Sequence, residues 1–198
     1  MTSQAASSPV DPSTVMMTGE NSFIRLSPDG GKTQSDRFSH WRVLWCPAGA
    51  GHVLFAKSSL TKDSVKVYSD NEPVARWLQK EIESLLFPAF ADLALPVAKA
   101  EFTRSGGADF KAVETIRSAD TLIEMDWREF LPPFVLNMPP GSANRPIGVF
   151  STFFPARWAQ VAFNNHLATG KPWPEKRGER ESSSACLAWS ESWVRPPV

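Results

Sequence analysis

The chain contains two cysteines, one tyrosine and three histidines in 198 residues, and it carries no formal net charge. Each scarcity excludes something. The thiols of Cys46 and Cys186 could close one bridge at most, and nothing near them suggests an oxidising compartment. Free thiols in a cytoplasmic protein are expected. Lys and Arg total 21 and Asp and Glu total 21, so no field draws in a polyanion. Neither nucleic acid nor an anionic membrane surface is expected as a partner. The charged run "TGKPWPEKRGERESSS" is mixed in sign and reads as a solvated loop. No apolar stretch approaches the roughly 20 residues that cross a bilayer. The N-terminus "MTSQAASSPVDPSTVMMTGENS" has neither the basic start nor the apolar core of a secretory signal.

Ligand patterns for metals and cofactors are missing too. His40, His52 and His166 occur without H-x-H or H-x-x-x-H spacing, and the cysteines are not paired at zinc spacing. In the hairpin expected from the sequence, His40 and His52 lie near opposite ends, about 20 Å apart at roughly 3.3 Å per residue. There is no G-x-S-x-G, no phosphate-cradling glycine loop, no dinucleotide fingerprint and no H-E-x-x-H. Neither a metal nor an organic cofactor is expected. A metal assembled from distant strands stays open.

What the chain does have is aromatic bulk, with 8 Trp and 13 Phe. That load implies either a generous core or an aromatic-lined pocket. Residues 1 to about 20, rich in Ser, Pro and Thr and aperiodic, predict a flexible lead before a single domain over 21–198. Ten strand-like runs then follow at the short intervals typical of all-β folds, among them "SFIRLS", "SHWRVLWC", "HVLFAKS", "TLIEMDWREF" and "IGVFSTFF". "CPAGAG", "RSGGAD" and "FNNH" supply Gly or Asn for turns with positive φ. One segment breaks the alternation. In "DNEPVARWLQKEIESLLFP", Val74, Trp77, Leu78, Ile82, Leu85 and Leu86 recur at helical spacing. Asp70 or Asn71 can cap the start and Pro88 ends it, which predicts an amphipathic helix over about 72–87. Packing on a sheet and plugging a barrel end are both open to it.

Many strands with one helix predict a mainly β protein, an antiparallel closed or strongly curled β-barrel, since closure removes exposed edges. A two-sheet β-sandwich is the alternative. In outline this resembles lipocalin-like and other small ligand-holding barrels, a likeness of architecture alone.

The sharpest candidate site lies in the last strand, "CLAWSESWVRPP". Strict alternation puts Leu187, Trp189, Glu191 and Trp193 on one face and Cys186, Ala188, Ser190 and Ser192 on the other. An inward Glu191 needs a cation, hydrogen-bond donors or a raised pKa, and would make a natural general acid or base beside Trp189 and Trp193. An outward Glu191 would be a rim ion-pair residue, with Arg195 as partner. In the first hairpin, a turn placing Cys46 opposite His52 puts His40, Arg42, Leu44 and Cys46 on one face with His52 and Leu54. A Cys46 and His52 pair could be a nucleophile with its base, or a buried thiol beside a turn histidine. Glu124, Asp126 and Arg128 share a face that is either a lumen or a solvated outer wall. The lysines Lys57, Lys66 and Lys99 carry no local mark of a Schiff-base role. Two long connections, Leu131–Pro146 and Thr169–Ser184, hold Phe134 and Trp173, candidates for closing over a barrel mouth.

These readings lead to a cofactor-independent enzyme using proton transfer, an isomerase, lyase or hydratase, or hydrolase. It would act on a small apolar or aromatic molecule in a β-barrel pocket. Glu191 and His52 are the expected catalytic pair, with Trp189, Trp193, Arg42, Trp173 and Phe134 holding the ligand. A non-catalytic carrier and an oligomer-forming interaction subunit are the alternatives.

Overall fold

The alternating runs rich in Val, Ile, Phe and Trp become strands because each can bury one side against a shared core. The structure, a computed structural model, describes residues 11–197. Its strands are β1 (Val15–Leu26), β2 (Asp36–Trp45), β3 (Gly51–Lys57), β4 (Val65–Ser69), β5 (Val97–Lys99), β6 (Glu101–Gly106) and β7 (Lys111–Ser118). They continue as β8 (Thr121–Phe130), β9 (Phe134–Met138), β10 (Gly148–Phe163), β11 (His166–Leu167), β12 (Pro174–Arg177), β13 (Arg180–Ser183) and β14 (Ala185–Val194). The main path runs β5-β4-β3-β2-β1-β14-β10-β8-β7-β6 and curls into a nearly closed barrel. Its neighbours are antiparallel except β4 and β5, which pair in parallel. The sheet is a barrel and not a two-sheet sandwich. β10 spans both halves: it pairs β14 up to Pro155, while on its other edge β9 gives way to β8. Pro155, with no N–H to donate, sits at that hand-over.

Several boundaries differ from expectation. The flexible lead predicted to about residue 20 is shorter, because strand β1 already begins at Val15 and buries Met16 and Met17. Residues 1–10 of that lead lie outside the described residues. The stretch read as a loop over 131–146 contains β9, and that over 169–184 contains the β12 and β13 hairpin. Both are short strands flanked by Pro and charge, which blurs their period-two signal.

Period-two alternation sorts the side chains into two layers. Ile24, Leu26, Phe38, Leu54, Ile116, Met125, Trp127 and Val161 fill the barrel interior. Met17, Trp41, Val43, Val53, Phe55 and Trp193 face outward and are covered by the helix. That helix, α1 over 72–86, runs as α-helix Glu72–Leu78, one widened π turn Gln79–Glu83 and a last α turn Ser84–Leu86. Asn71 takes the cap position, but its side-chain amide donates to the Ala50 carbonyl at 2.8 Å. A helix this short is marginal alone in water. Burying Val74, Ala75, Leu78 and Ile82 against the outer sheet face holds it. The π turn adds a residue and rotates the last turn of the helix, so Glu83 comes to the buried side and Leu85 is left exposed. No described helix is long and apolar enough to cross a membrane.

Over residues 40–43 and 52–55 the first hairpin keeps the expected faces with a different register, whereas Cys46 leaves the His40 face to pack with Trp41 and Val43, and Trp45 is exposed. β2 and β3 pair Arg42 with His52 and His40 with Leu54. Cys46 is not opposite His52; it closes a tight turn with Gly49 through mutual backbone hydrogen bonds of 3.1 and 2.9 Å. A shift by an even number of residues preserves the faces and slides the two histidines together. Their rings stack at 5.9 Å, which corrects the wide separation expected from the sequence. Both cysteines are free and buried.

Candidate functional site

β14 begins as alternation predicts and then changes face. Ser190 adopts a left-handed φ of 52°, and the ladders to β1 and to β10 both shift register across this point. One extra residue in a strand inverts every later side chain. Leu187 and Trp189 therefore belong to the barrel interior, while Glu191 and Trp193 stand on the outer wall. The single face expected for these four residues is cut in two. Glu191 does not lie between Trp189 and Trp193.

It is nonetheless buried, at 3% exposure, in the wall of a groove of about 550 Å³. Phe23, Leu86, Leu136, Val149, Phe153 and Trp193 form the apolar part of that groove. The Trp193 indole N–H donates to the Glu191 carboxyl. Burial lifts Glu191 to about 8, against the hydrogen bonds of Trp193 and Ser151. Trp193 packs on Trp41 with ring centroids 5.7 Å apart. Trp41 repeats the arrangement, donating to Glu83 of α1 at 2.8 Å. Burial raises Glu83 to about 7, opposed by the Trp41 hydrogen bond, the Arg37 charge and the Ser39 hydroxyl. Two indoles in contact thus each hold one buried carboxyl. At neutral pH Glu191 is chiefly protonated and able to donate, while Glu83 lies near its midpoint.

The rest of the groove is cationic. Arg25 of β1, Arg37 of β2, Arg145 of the connection after β9, and Lys176 and Arg177 of β12 line it with Glu175. Glu175 bonds Arg25 at 2.6 Å and approaches Arg177 at 3.6 Å. The Arg37 guanidinium lies 4.5 Å from the centre of the Phe87 ring.

The remaining predicted site residues lie elsewhere. His52 and Arg42 belong to the interior-facing set at one end of the barrel, where His52 Nδ1 bonds Asp70 at 2.8 Å and Arg42 meets Glu20 at 3.5 Å. The bulge at Ser190 separates them from Glu191 across the sheet. Trp189 packs in the interior against Phe154 at 4.7 Å. Phe134 is buried under the groove, 5.7 Å from Phe153, and does not close over a mouth. Trp173 lies against Gly31 and under the Arg25 guanidinium at 5.3 Å, lining a neighbouring depression beneath the β12 and β13 hairpin. Asp126 is held on the outer surface by Arg128 at 2.6 Å and Lys111 at 3.3 Å, with Ile123, Met125 and Trp127 packed inward. No group of three or more His, Cys, Asp or Glu that could hold a metal occurs among the described residues.

No family model, no curated protein and no solved structure matches this chain. The likeness to lipocalin-like barrels rests on outline alone.

Sequence reasoning missed Glu83 and the arginines. Glu83 is one residue past Ile82 and four past the buried Gln79, so it borders the apolar stripe. Arg37 precedes Ser39, Trp41 and Val43 on the face that packs outward. Those offsets were available as signals. The convergence of β1, β2, β12 and the 139–147 connection on one groove was not.

Proposed function

We propose that the outer groove binds a small molecule and that Glu191 transfers a proton to it, as in an isomerase, lyase or hydrolase that needs no organic cofactor. One observation carries this reading: a buried carboxyl, oriented by an indole N–H, forms part of the wall of a groove lined in part by apolar and aromatic side chains. A carboxyl kept protonated at pH 7 by its surroundings is the form a general acid requires. The groove's size lies within the range of small-ligand sites. In the test, wild type and Glu191→Gln are incubated with a panel of small aromatic and apolar carbonyl compounds and substrate loss is followed. The expected result is turnover that falls about a hundredfold or more in the variant and, in wild type, declines as pH rises through about 8. An unchanged rate in a folded variant removes Glu191 from the mechanism.

A second reading, a non-catalytic carrier, is favoured by the placement of His52. The side chain expected to work with Glu191 belongs to the other face of the sheet. Ligand binding with no chemical change would decide for the carrier. An assembly subunit has less support, since apart from the neighbours Leu44 and Trp45 of β2 the exposed large apolar side chains Leu85, Leu93, Phe110, Val135 and Leu167 lie on different segments of the chain.

A further inference from the structure

We propose that the ligand of this groove carries an oxyanion, a carboxylate or a phosphate, on a short apolar or aromatic body, and that Arg37, Arg145 and Arg177 hold the oxyanion. The inference rests on the groove being the ligand site. Five cationic side chains line it against two carboxyls, Glu175 and Glu191. Glu175 is already engaged by Arg25 and Arg177. Glu191 carries little charge at neutral pH, because burial keeps it protonated. Neither Arg37 nor Arg145 forms an ion pair among the described residues. The Nε atoms of Arg37 and Arg177 are buried and have no hydrogen-bond partner among the described residues.

A desolvated guanidinium with unused donors is unfavourable unless an acceptor meets it. Burial lowers Arg37, the attraction of Glu83 offsets this only in part, and Arg25 and Arg145 repel it. Burial and the nearby Arg177 likewise lower Arg145. This excess of positive charge is local, since the chain as a whole is neutral. It therefore suits one small oxyanion and gives no footing to a polyanion. Guanidinium planes match carboxylate and phosphate oxygens in pairs, which gives orientation as well as affinity. Phe23, Phe153 and Trp193 would then face the apolar body.

The test is equilibrium titration at pH 7, read by tryptophan fluorescence, with benzoate, phenyl phosphate, inorganic phosphate and the neutral benzamide as probes. Benzoate or phenyl phosphate should bind at least tenfold more tightly than benzamide, and the tighter of the two separates carboxylate from phosphate recognition. Inorganic phosphate, lacking the ring, should bind more weakly than phenyl phosphate. Arg145→Gln and Arg177→Gln, at partly buried positions, should each weaken the preferred anion about tenfold. Lys99→Gln, at the exposed end of β5 and outside the groove lining, should leave the affinity unchanged. Thermal midpoints confirm that each variant is folded. Benzamide binding as tightly as the anions, wild-type affinity in both arginine variants, or no binding of any probe at millimolar concentration would overturn the proposal. The titration needs no turnover. Preferred binding of an anion together with an unchanged turnover rate in Glu191→Gln leaves this inference standing and removes the acid role of Glu191. Turnover of a neutral compound with no preference for anions does the reverse.

Discussion

Two of the regions in which this barrel buries carboxyl groups keep them in opposite ways. At one end of the interior, Glu114 accepts from Arg104 Nε at 2.8 Å, and Glu20 accepts from the same guanidinium at 2.6 Å. His40, fully buried, stands 3.6 Å from Glu114 and stacks on Phe102. Although burial opposes its charge, Glu114 and Glu20 together hold Arg104 above the ordinary arginine value. In the outer wall, Glu83 and Glu191 receive indole N–H groups and are raised instead. An ion pair fixes charge and geometry. A hydrogen-bonded neutral acid keeps a proton that can be moved. The first arrangement suits a scaffold, the second suits chemistry.

The largest test of this contrast is Arg104→Met. It would leave the buried Glu114 without its cation and Glu20 with Arg42 alone, at 3.5 Å, and breaking a buried pair in this way typically destabilises by roughly 3–5 kcal/mol. Adding Glu114→Gln to that variant should recover part of the loss, because it removes one orphaned charge. Glu191→Gln at pH 7, by contrast, removes an acid that must hold in the folded state a proton the unfolded chain has released, so it should not destabilise and should raise stability. Urea unfolding of the three variants reads these effects. Equal losses in Arg104→Met and Glu191→Gln would erase the distinction between the two regions.

The pH dependence of stability is the next largest effect. Glu83 and Glu191 rise from an ordinary 4.5 to about 7 and about 8. Between those limits the folded state keeps protons that the unfolded state has released, so stability falls as pH rises. Each carboxyl contributes a slope of about 1.4 kcal/mol per pH unit inside its own window. His40 acts in the opposite sense. Burial, then the charges of Arg104, His52 and Arg42, hold it well below 6.5, so it contributes stability that grows as pH rises toward that value. The net expectation is a shallow decline from pH 5 to about 6.5, a steeper one to about 7, and a plateau above about 8. Glu191→Gln should flatten the segment between 7 and 8. Denaturant midpoints that rise or stay level across pH 6.5–8 would contradict the neutral state of both carboxyls.

Much of the fold was legible because period two survives in the interior strands. "TLIEMDWREF" sorts into Ile123, Met125 and Trp127 inside and Glu124, Asp126 and Arg128 outside, as the sequence implies. The helix was legible from its apolar spacing, except where the π turn carried Glu83 inward. The site was legible only in part. That Glu191 and Trp193 share a face follows from the strand pattern, but the side on which that face stands, and its separation from Trp189, His52 and Arg42, depend on one backbone dihedral. No hydrophobic pattern encodes a bulge at a serine. The β2 and β3 register shows the same limit from another side: parity gave the faces of His40 and His52, and turn geometry alone decided how close they lie.

That dihedral yields the smallest predicted effect. A non-glycine residue in the left-handed region strains its backbone by roughly 1–2 kcal/mol, whereas glycine enters it freely. Ser190 is exposed, so its hydroxyl adds little burial to the folded state. Glycine also gives the unfolded chain more freedom, which returns part of the gain. Ser190→Gly should therefore stabilise by no more than about 1 kcal/mol and leave anion affinity in the groove as it was. Ser190→Val forces a β-branched side chain into the same φ, so it should destabilise by at least as much as the serine is strained, or drive the strand back to plain alternation. If plain alternation returned, Glu191 and Trp193 would turn toward the interior. The Trp41 and Trp193 contact would be lost, and the near-ultraviolet circular dichroism of that indole pair would change with it. Identical spectra and equal stability in the glycine and valine variants would mean that the bulge does not set the face on which Glu191 stands.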